Sequence, residues 1–252
     1  MTQSQTMSNK KKKGLSVGSR LRQYSALIAF VALCIFLSIA SPVFARPANI
    51  LNILENVSIL LVVSLAMTTV IAAGGIDLSV GIALDMAAMV AISLLEIHVV
   101  WPLALLAGLL AGALLGGFNS ILIVRIGISP FLATLGTLFI GQSIQRIYTR
   151  GGEPIYLRNM QEGYEFLGRG DVLGIPFEIF IAAFVLLLFY LFIERTFHGK
   201  RIRAIGLQKE ASRIAGLRVK GYSTLAYIIS GLASAVGGII LSASGNSFVP
   251  LS

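Results

Sequence analysis

The sequence is short of charge and nearly without cysteine. Charged residues make up 12% of its 252 positions, about half the ~25% of a soluble domain. A single cysteine, Cys34, excludes an internal disulfide and leaves no thiol cluster for a metal. No GxxxxGK(S/T) phosphate loop is present, so the chain does not hydrolyse ATP by that route. No His–Glu or Ser–Lys constellation lies within the apolar runs, which disfavours an intramembrane enzyme, and neither cofactor nor metal is expected. Short alternating strands of the barrel type are also missing, so backbone groups in the apolar runs must be satisfied inside helices.

What remains is apolar sequence: 56% of residues are hydrophobic and mean hydropathy is +0.86. Several runs approach the ~20 residues that cross a bilayer core. The fold class is therefore all-α, a polytopic transmembrane helical bundle. Seven spans are expected near 25–43, 53–73, 79–96, 102–124, 130–147, 177–194 and 222–243. A polar leader, residues 1–23, precedes them. It resembles a secretory signal, but the first run is longer than the ~7–15 residues of such a segment, so an uncleaved first helix is preferred.

The net charge of +9 suits nucleic acid in a soluble protein, yet the basic residues are not interleaved with aromatics, and no nucleic-acid partner is expected. Cytoplasmic loops of membrane proteins carry excess Lys and Arg. With the leader inside, fifteen basic residues fall on the inner side: Lys10 to Lys13, Arg20, Arg22, Arg125 and eight between Arg195 and Lys220. Five fall outside: Arg46, Arg146, Arg150, Arg158 and Arg169. That bias sets a cytoplasmic N-terminus. Loop 148–176 then lies outside, where it can touch a soluble partner, and loop 195–221 lies inside. In the inner loop "QKEASRIAG" predicts a short surface helix ending at Gly216, with Ala211, Ile214 and Ala215 on one face. Small residues at four-residue spacing, Gly108, Gly112 and Gly116 and then Ser230, Ser234 and Gly238, predict close helix packing.

The stretch "GGIDLSVG" (74–81) breaks an apolar run with two glycines, an aspartate and a serine. One reading is a well-made helix start, with Asp77 or Ser79 capping the third helix at its positive end. The other is that the break lines a translocation path or gate, as interrupted helices do in transporters. Gly74, Gly75, Asp77, Ser79, Asp85 and Asn119 are its candidates. Asp77 and Asp85 share a face in this reading, Asp85 pairs with Arg125 or a backbone group, and Asn119 doubles as an interhelical hydrogen-bonding residue.

"VIAAGGIDLSVG" (70–81), "GISPFLATLG" (127–136), "TRGGEPIY" (149–156) and "AIGLQKEASRIAGLRV" (204–219) occur in this order. Together they resemble the permease subunits of bacterial ribose-type sugar ABC importers, a group with ribose, xylose, arabinose, galactose, allose and autoinducer-2 permeases. The resemblance implies a multi-pass protein of the bacterial inner membrane. Its partners would be a second permease subunit (identical or different), a cytoplasmic ATP-hydrolysing subunit and a periplasmic sugar-binding protein. It also implies that Lys209, Glu210, Ala211, Arg213, Ala215 and Gly216 belong to the coupling helix that inserts into the ATPase, with Arg218 nearby. Family chains are longer, so residues 24–252 are expected to be an incomplete permease domain whose last spans are missing. That would leave the small-residue faces without packing partners. A non-transporting fragment and an ion-coupled carrier using Glu55, Asp77 or Asp85 are the alternatives.

The charge count generates a test. Reporter fusions after Met160 and after Glu210 should give opposite sidedness, periplasmic for the first and cytoplasmic for the second. The same signal from both would remove the seven-span division.

Overall fold

The computed structural model describes residues 24–250, and the basic leader 1–23 lies outside the described residues. The chain divides near Ile50 into two compact units. In chain order the helices are α1 (Ser25–Ala40), α2 (Pro47–Ala72), α3 (Val80–Glu96), α4 (Trp101–Ser120), α5 (Pro130–Tyr148), α6 (Glu162–Arg169), α7 (Phe177–Tyr190), α8 (Phe197–Leu207), α9 (Lys209–Ile214) and α10 (Val219–Gly245). π-Helical turns extend α4 through Ile121–Ile126 and α7 through Leu191–Arg195. Each expected span is thus helical. Pro47 opens α2, Pro102 sits in the first turn of α4 and Pro130 opens α5, positions where a missing N–H costs nothing.

Four helical stretches are long and apolar enough to cross a membrane by length and composition: Pro47–Ala72, Trp101–Ile126, Phe177–Arg195 and Val219–Gly245. The other three differ for separate reasons. α1 has 16 residues and buries none of its side chains. α3 has 17 and buries most of them, so it is an interior helix. α5 has 19 residues but mixes Thr, Gln and Ser into its apolar sequence.

α10 is the central element and packs on α4, α3 and α6. The contacts are made by backbone. Gly112 of α4 and Gly231 of α10 approach so closely that a Cβ on either would land on the other's carbonyl. A Cβ at Gly116 would land on the Tyr227 carbonyl, and one at Gly238 on the Leu84 carbonyl of α3. In lipid, where apolar tails compete equally for apolar surface, such approach supplies the dispersion contacts that hold helices together. The small-residue faces of α4 and α10 therefore meet each other and α3 within this chain. The expectation that they lack packing partners is corrected.

At one end of the bundle α6 lies against α10. Tyr164 is fully buried there among Ile92, Leu95, Ile239 and Phe248, and its hydroxyl lies 2.8 Å from Ser242 Oγ. Burial pushes its phenol up to about 12. Gln161 binds the α3–α4 turn, accepting from Trp101 N at 2.8 Å and donating to Val99 O at 2.7 Å. Two-residue strands close the same end: β1 (Ile155–Tyr156) pairs antiparallel with β4 (Ser247–Phe248), and β2 (Asp171–Val172) with β3 (Ile175–Pro176).

Gly116→Ala should separate α4 from α10 at a cost of ~1–3 kcal/mol, the usual range for overpacking. Gly117, where an added Cβ would meet no other helix or side chain within 4 Å, is the control. Gly117→Ala should be neutral or stabilising by up to ~1 kcal/mol through helix propensity. Unfolding of the purified protein by titration from mild into denaturing detergent reads both. Equal midpoints would rule out the α4–α10 contact as a source of stability.

Candidate functional site

The break after α2 is built by its glycines. Gly74 takes φ +79°, a left-handed conformation that costs a side-chain-bearing residue energy. Gly74 N donates to Ile71 O and Gly75 N to Val70 O, both at 2.9 Å. These two bonds form a Schellman cap. Close neighbours also require small residues here. A Cβ on Gly74 would lie 3.2 Å from Gly206 Cα of α8, and one on Gly75 would lie 2.6 Å from the Tyr227 hydroxyl of α10. That hydroxyl donates to Ile76 O at 3.3 Å.

Asp77 follows and is 2% exposed. Its Oδ1 accepts from Ser79 N at 3.0 Å and from Ser79 Oγ at 2.6 Å. Its Oδ2 accepts from Ser230 Oγ of α10 at 2.9 Å. Ser79 Oγ accepts in turn from Asn119 Nδ2 of α4 at 2.6 Å, and Asn119 Oδ1 from Thr137 Oγ1 of α5 at 2.6 Å. Every donor in this relay points toward the carboxylate, an order in which each bond polarises the next. Ser79, Asn119 and Ser230 are fully buried and Thr137 nearly so. The knot joins α3, α4, α5 and α10 at one level.

Capping of α3 takes a different form from the one expected. Ser79 occupies the N-cap position but makes no side-chain cap bond, because its hydroxyl is committed to Asp77. Asp77 captures the N–H of Ser79 itself, two residues on, as an Asx turn does. Asn119 is an interhelical hydrogen-bonding residue. Asp85 is buried about two turns beyond Asp77, in a recess with Ser242, Gly245 and Phe248 at the far end of α10. It is therefore not brought together with Asp77.

The structure does bring the helix break to the segment 209–220. Gly74 and Gly75 line a pocket of about 220 Å³ with Lys209, Glu210, Arg213, Lys220 and Tyr227. α9 is short and well defined. Ser212 faces inward and donates to Ala204 O at 3.0 Å. Gly216 takes φ +80°, with Gly216 N to Arg213 O and Leu217 N to Ser212 O both at 3.0 Å, a second Schellman cap. Ala211, Ala215 and Gly216 are exposed, as is Ile214 at 82%. Arg213 and Glu210 form a solvent-facing ion pair at 2.9 Å.

Sequence reading missed Thr137 and Tyr227 as site residues and placed Ser230 only in a packing stripe. Ser230 lies 153 positions from Asp77, and no local pattern joins them.

Residues 49–251 match the family described as branched-chain amino acid transport system, permease component. The ribose import permease protein RbsC of Bacillus subtilis (strain 168) is 32% identical over 230 residues, covering 91% of this chain and 71% of that protein. The galactofuranose transporter permease protein YtfT of Escherichia coli (strain K12) is 35% identical over 200 residues, 79% of this chain and 57% of that one. The autoinducer 2 import system permease protein LsrD of Escherichia coli O9:H4 (strain HS) is 33% identical over 192 residues, 71% and 56% of the two chains. No solved structure matches.

Removing the hub of the knot should be costly. Asn119→Ala removes the donor to Ser79 Oγ and the acceptor of Thr137 Oγ1. Each hydroxyl keeps a second partner, Asp77 and Ala133 O, so each lost bond costs ~0.5–1.5 kcal/mol. Ser230→Ala removes only one donor to Asp77 and should cost less. The same detergent unfolding measurement ranks them, and an Asn119→Ala variant as stable as the parent would show that the relay does not hold the helices.

Proposed function

This chain belongs to the family of transport-system permease components, and on that footing we propose that it is the membrane subunit of an ATP-driven sugar importer in the bacterial inner membrane. The family description names branched-chain amino acids, but the relatives above are named for ribose, galactofuranose and autoinducer 2. Their substrates favour a sugar or sugar-like cargo. Its partners are a cytoplasmic ATPase, a second permease subunit and a periplasmic sugar-binding protein.

The observation that carries this reading is the seating of α9 beside the Gly74–Gly75 break. A rigid six-residue helix, held inward by Ser212 and presenting Ala211, Ile214 and Ala215 outward, shares a pocket with that break. A force applied to α9 thus reaches the end of α2 and the start of α3 without crossing a flexible segment. The basic bias of 195–221 puts this end in the cytoplasm, where an ATPase docks. Loop 149–176 then faces the periplasm. Gly74, Gly75, Asp77, Ser79 and Asn119 form the gate region of the path in this reading. Asp85 belongs to its opposite end.

Ile214→Glu and Ala215→Glu each put an unpaired charge on the docking face. Burying one costs ~3–5 kcal/mol, at least about a hundredfold in affinity at ~1.4 kcal/mol per tenfold. Both variants should insert normally and lose co-purification with the ATPase. Undiminished capture by both would show that α9 is not the coupling element.

A further inference from the structure

At the end opposite the break, the loop after α5 encloses a pocket of about 460 Å³ with the end of α3, within the ~300–1,000 Å³ range of small-molecule sites. We propose that it is a binding site for a neutral polyhydroxylated ligand, a monosaccharide met on entry. The proposal rests on the permease reading above. Glu96, Tyr148, Thr149, Arg150, Glu153 and Tyr156 supply its character.

The loop is preformed. Arg150, Gly151 and Gly152 take φ +54°, +108° and +103° in succession, and a left-handed arginine persists only where its surroundings hold it. Here they do: Gly151 N donates to Arg146 O at 2.8 Å and Glu153 N to Thr149 O at 3.0 Å. Gly152 N donates to Thr149 Oγ1 at 3.1 Å, and β1 is fastened to β4.

The lining suits hydroxyl groups. Glu96, Arg150 and Glu153 are exposed and take part in none of the ion pairs among the described residues, which leaves their oxygens and N–H groups available to a ligand. A sugar hydroxyl both donates and accepts, and needs acceptor-only carboxylates beside a donor-only guanidinium. Two acids against one arginine disfavour an anion. Tyr148 and Tyr156 are 52% and 68% exposed and offer ring faces with a polar tip, the amphipathic surface that the C–H face of a sugar requires.

A second observation lies one turn deeper. Gln145 shares the buried face of α5 with Thr134, Thr137 and Gly141. It is 0% exposed, and neither Nε2 nor Oε1 has a hydrogen-bond partner. Thr149, in the pocket lining, donates to the Gln145 carbonyl at 2.7 Å. The pocket therefore lies one turn from Gln145, a buried group able both to donate to and accept from a hydroxyl.

The test is saturation-transfer NMR of the full chain in lipid nanodiscs with d-ribose, d-galactose and d-fructose as probes. At least one sugar should receive saturation from the wild type. Tyr156→Ala should weaken that signal by about tenfold, and Tyr156→Phe should retain it. No transfer to any probe, or equal transfer in Tyr156→Ala, overturns the pocket. So does a Tyr156→Ala variant that keeps sugar contact but loses capture of a periplasmic binding protein, since the surface then serves a protein. ATPase co-purification by the wild type separates the two readings: retained capture with no sugar signal removes the pocket alone, and absent capture removes the importer.

Discussion

A carboxylate held in an apolar layer must be surrounded by donors, because its charge is otherwise too costly to keep there. Asp77 collects three hydrogen bonds, two from Ser79 and one from Ser230. Ser79 is oriented by Asn119, and Asn119 by Thr137. The positions of α3, α4, α5 and α10 at this level follow from that sequence of donors. Displacing any one helix would leave a buried polar atom unpaired. Packing above and below the knot is less directional and rests on backbone approach at Gly112, Gly231 and Gly238.

The break after α2 and the end of α9 are fastened by the same device. Gly74 and Gly216 are left-handed ends of helices with both Schellman bonds present, so neither is a loose hinge. Between them, α8 rests on the α2–α3 break through Gly206, where an added Cβ would land on Ala72 O. Both ends of this region are therefore fixed by main-chain hydrogen bonds, and the piece between them by backbone contact.

Hydropathy and glycine spacing made the helices and their close faces readable from sequence. The Schellman end at Gly216 was readable too, since "EASRIAG" combines helix formers with a terminal glycine. Partners of polar residues were not. Most Ser and Thr side chains in these helices donate to the carbonyl four residues back, as Ser58, Ser64 and Thr134 do. Thr137 makes that bond too, to Ala133 O, and also reaches Asn119. Nothing in local sequence marks it, or Ser230, as a residue that reaches across to another helix. The length of α3 decides little for a related reason: a helix enclosed by neighbours need not match the bilayer, so its 17 residues do not tell whether it spans.

The wide sequence separation within the knot has a consequence for biogenesis. Ser230 is synthesised 153 residues after Asp77, and at ~5–20 residues per second that interval is on the order of ten seconds. Through it the nascent α2–α3 segment holds its carboxylate with Ser79 as the local donor. Asn119 and Thr137 emerge meanwhile but reach Ser79 and Asn119, not the carboxylate. The insertion machinery must therefore shelter an acidic residue, or leave it at the aqueous rim, through several rounds of helix release. Final closure of the bundle is a late event, timed by the arrival of α10.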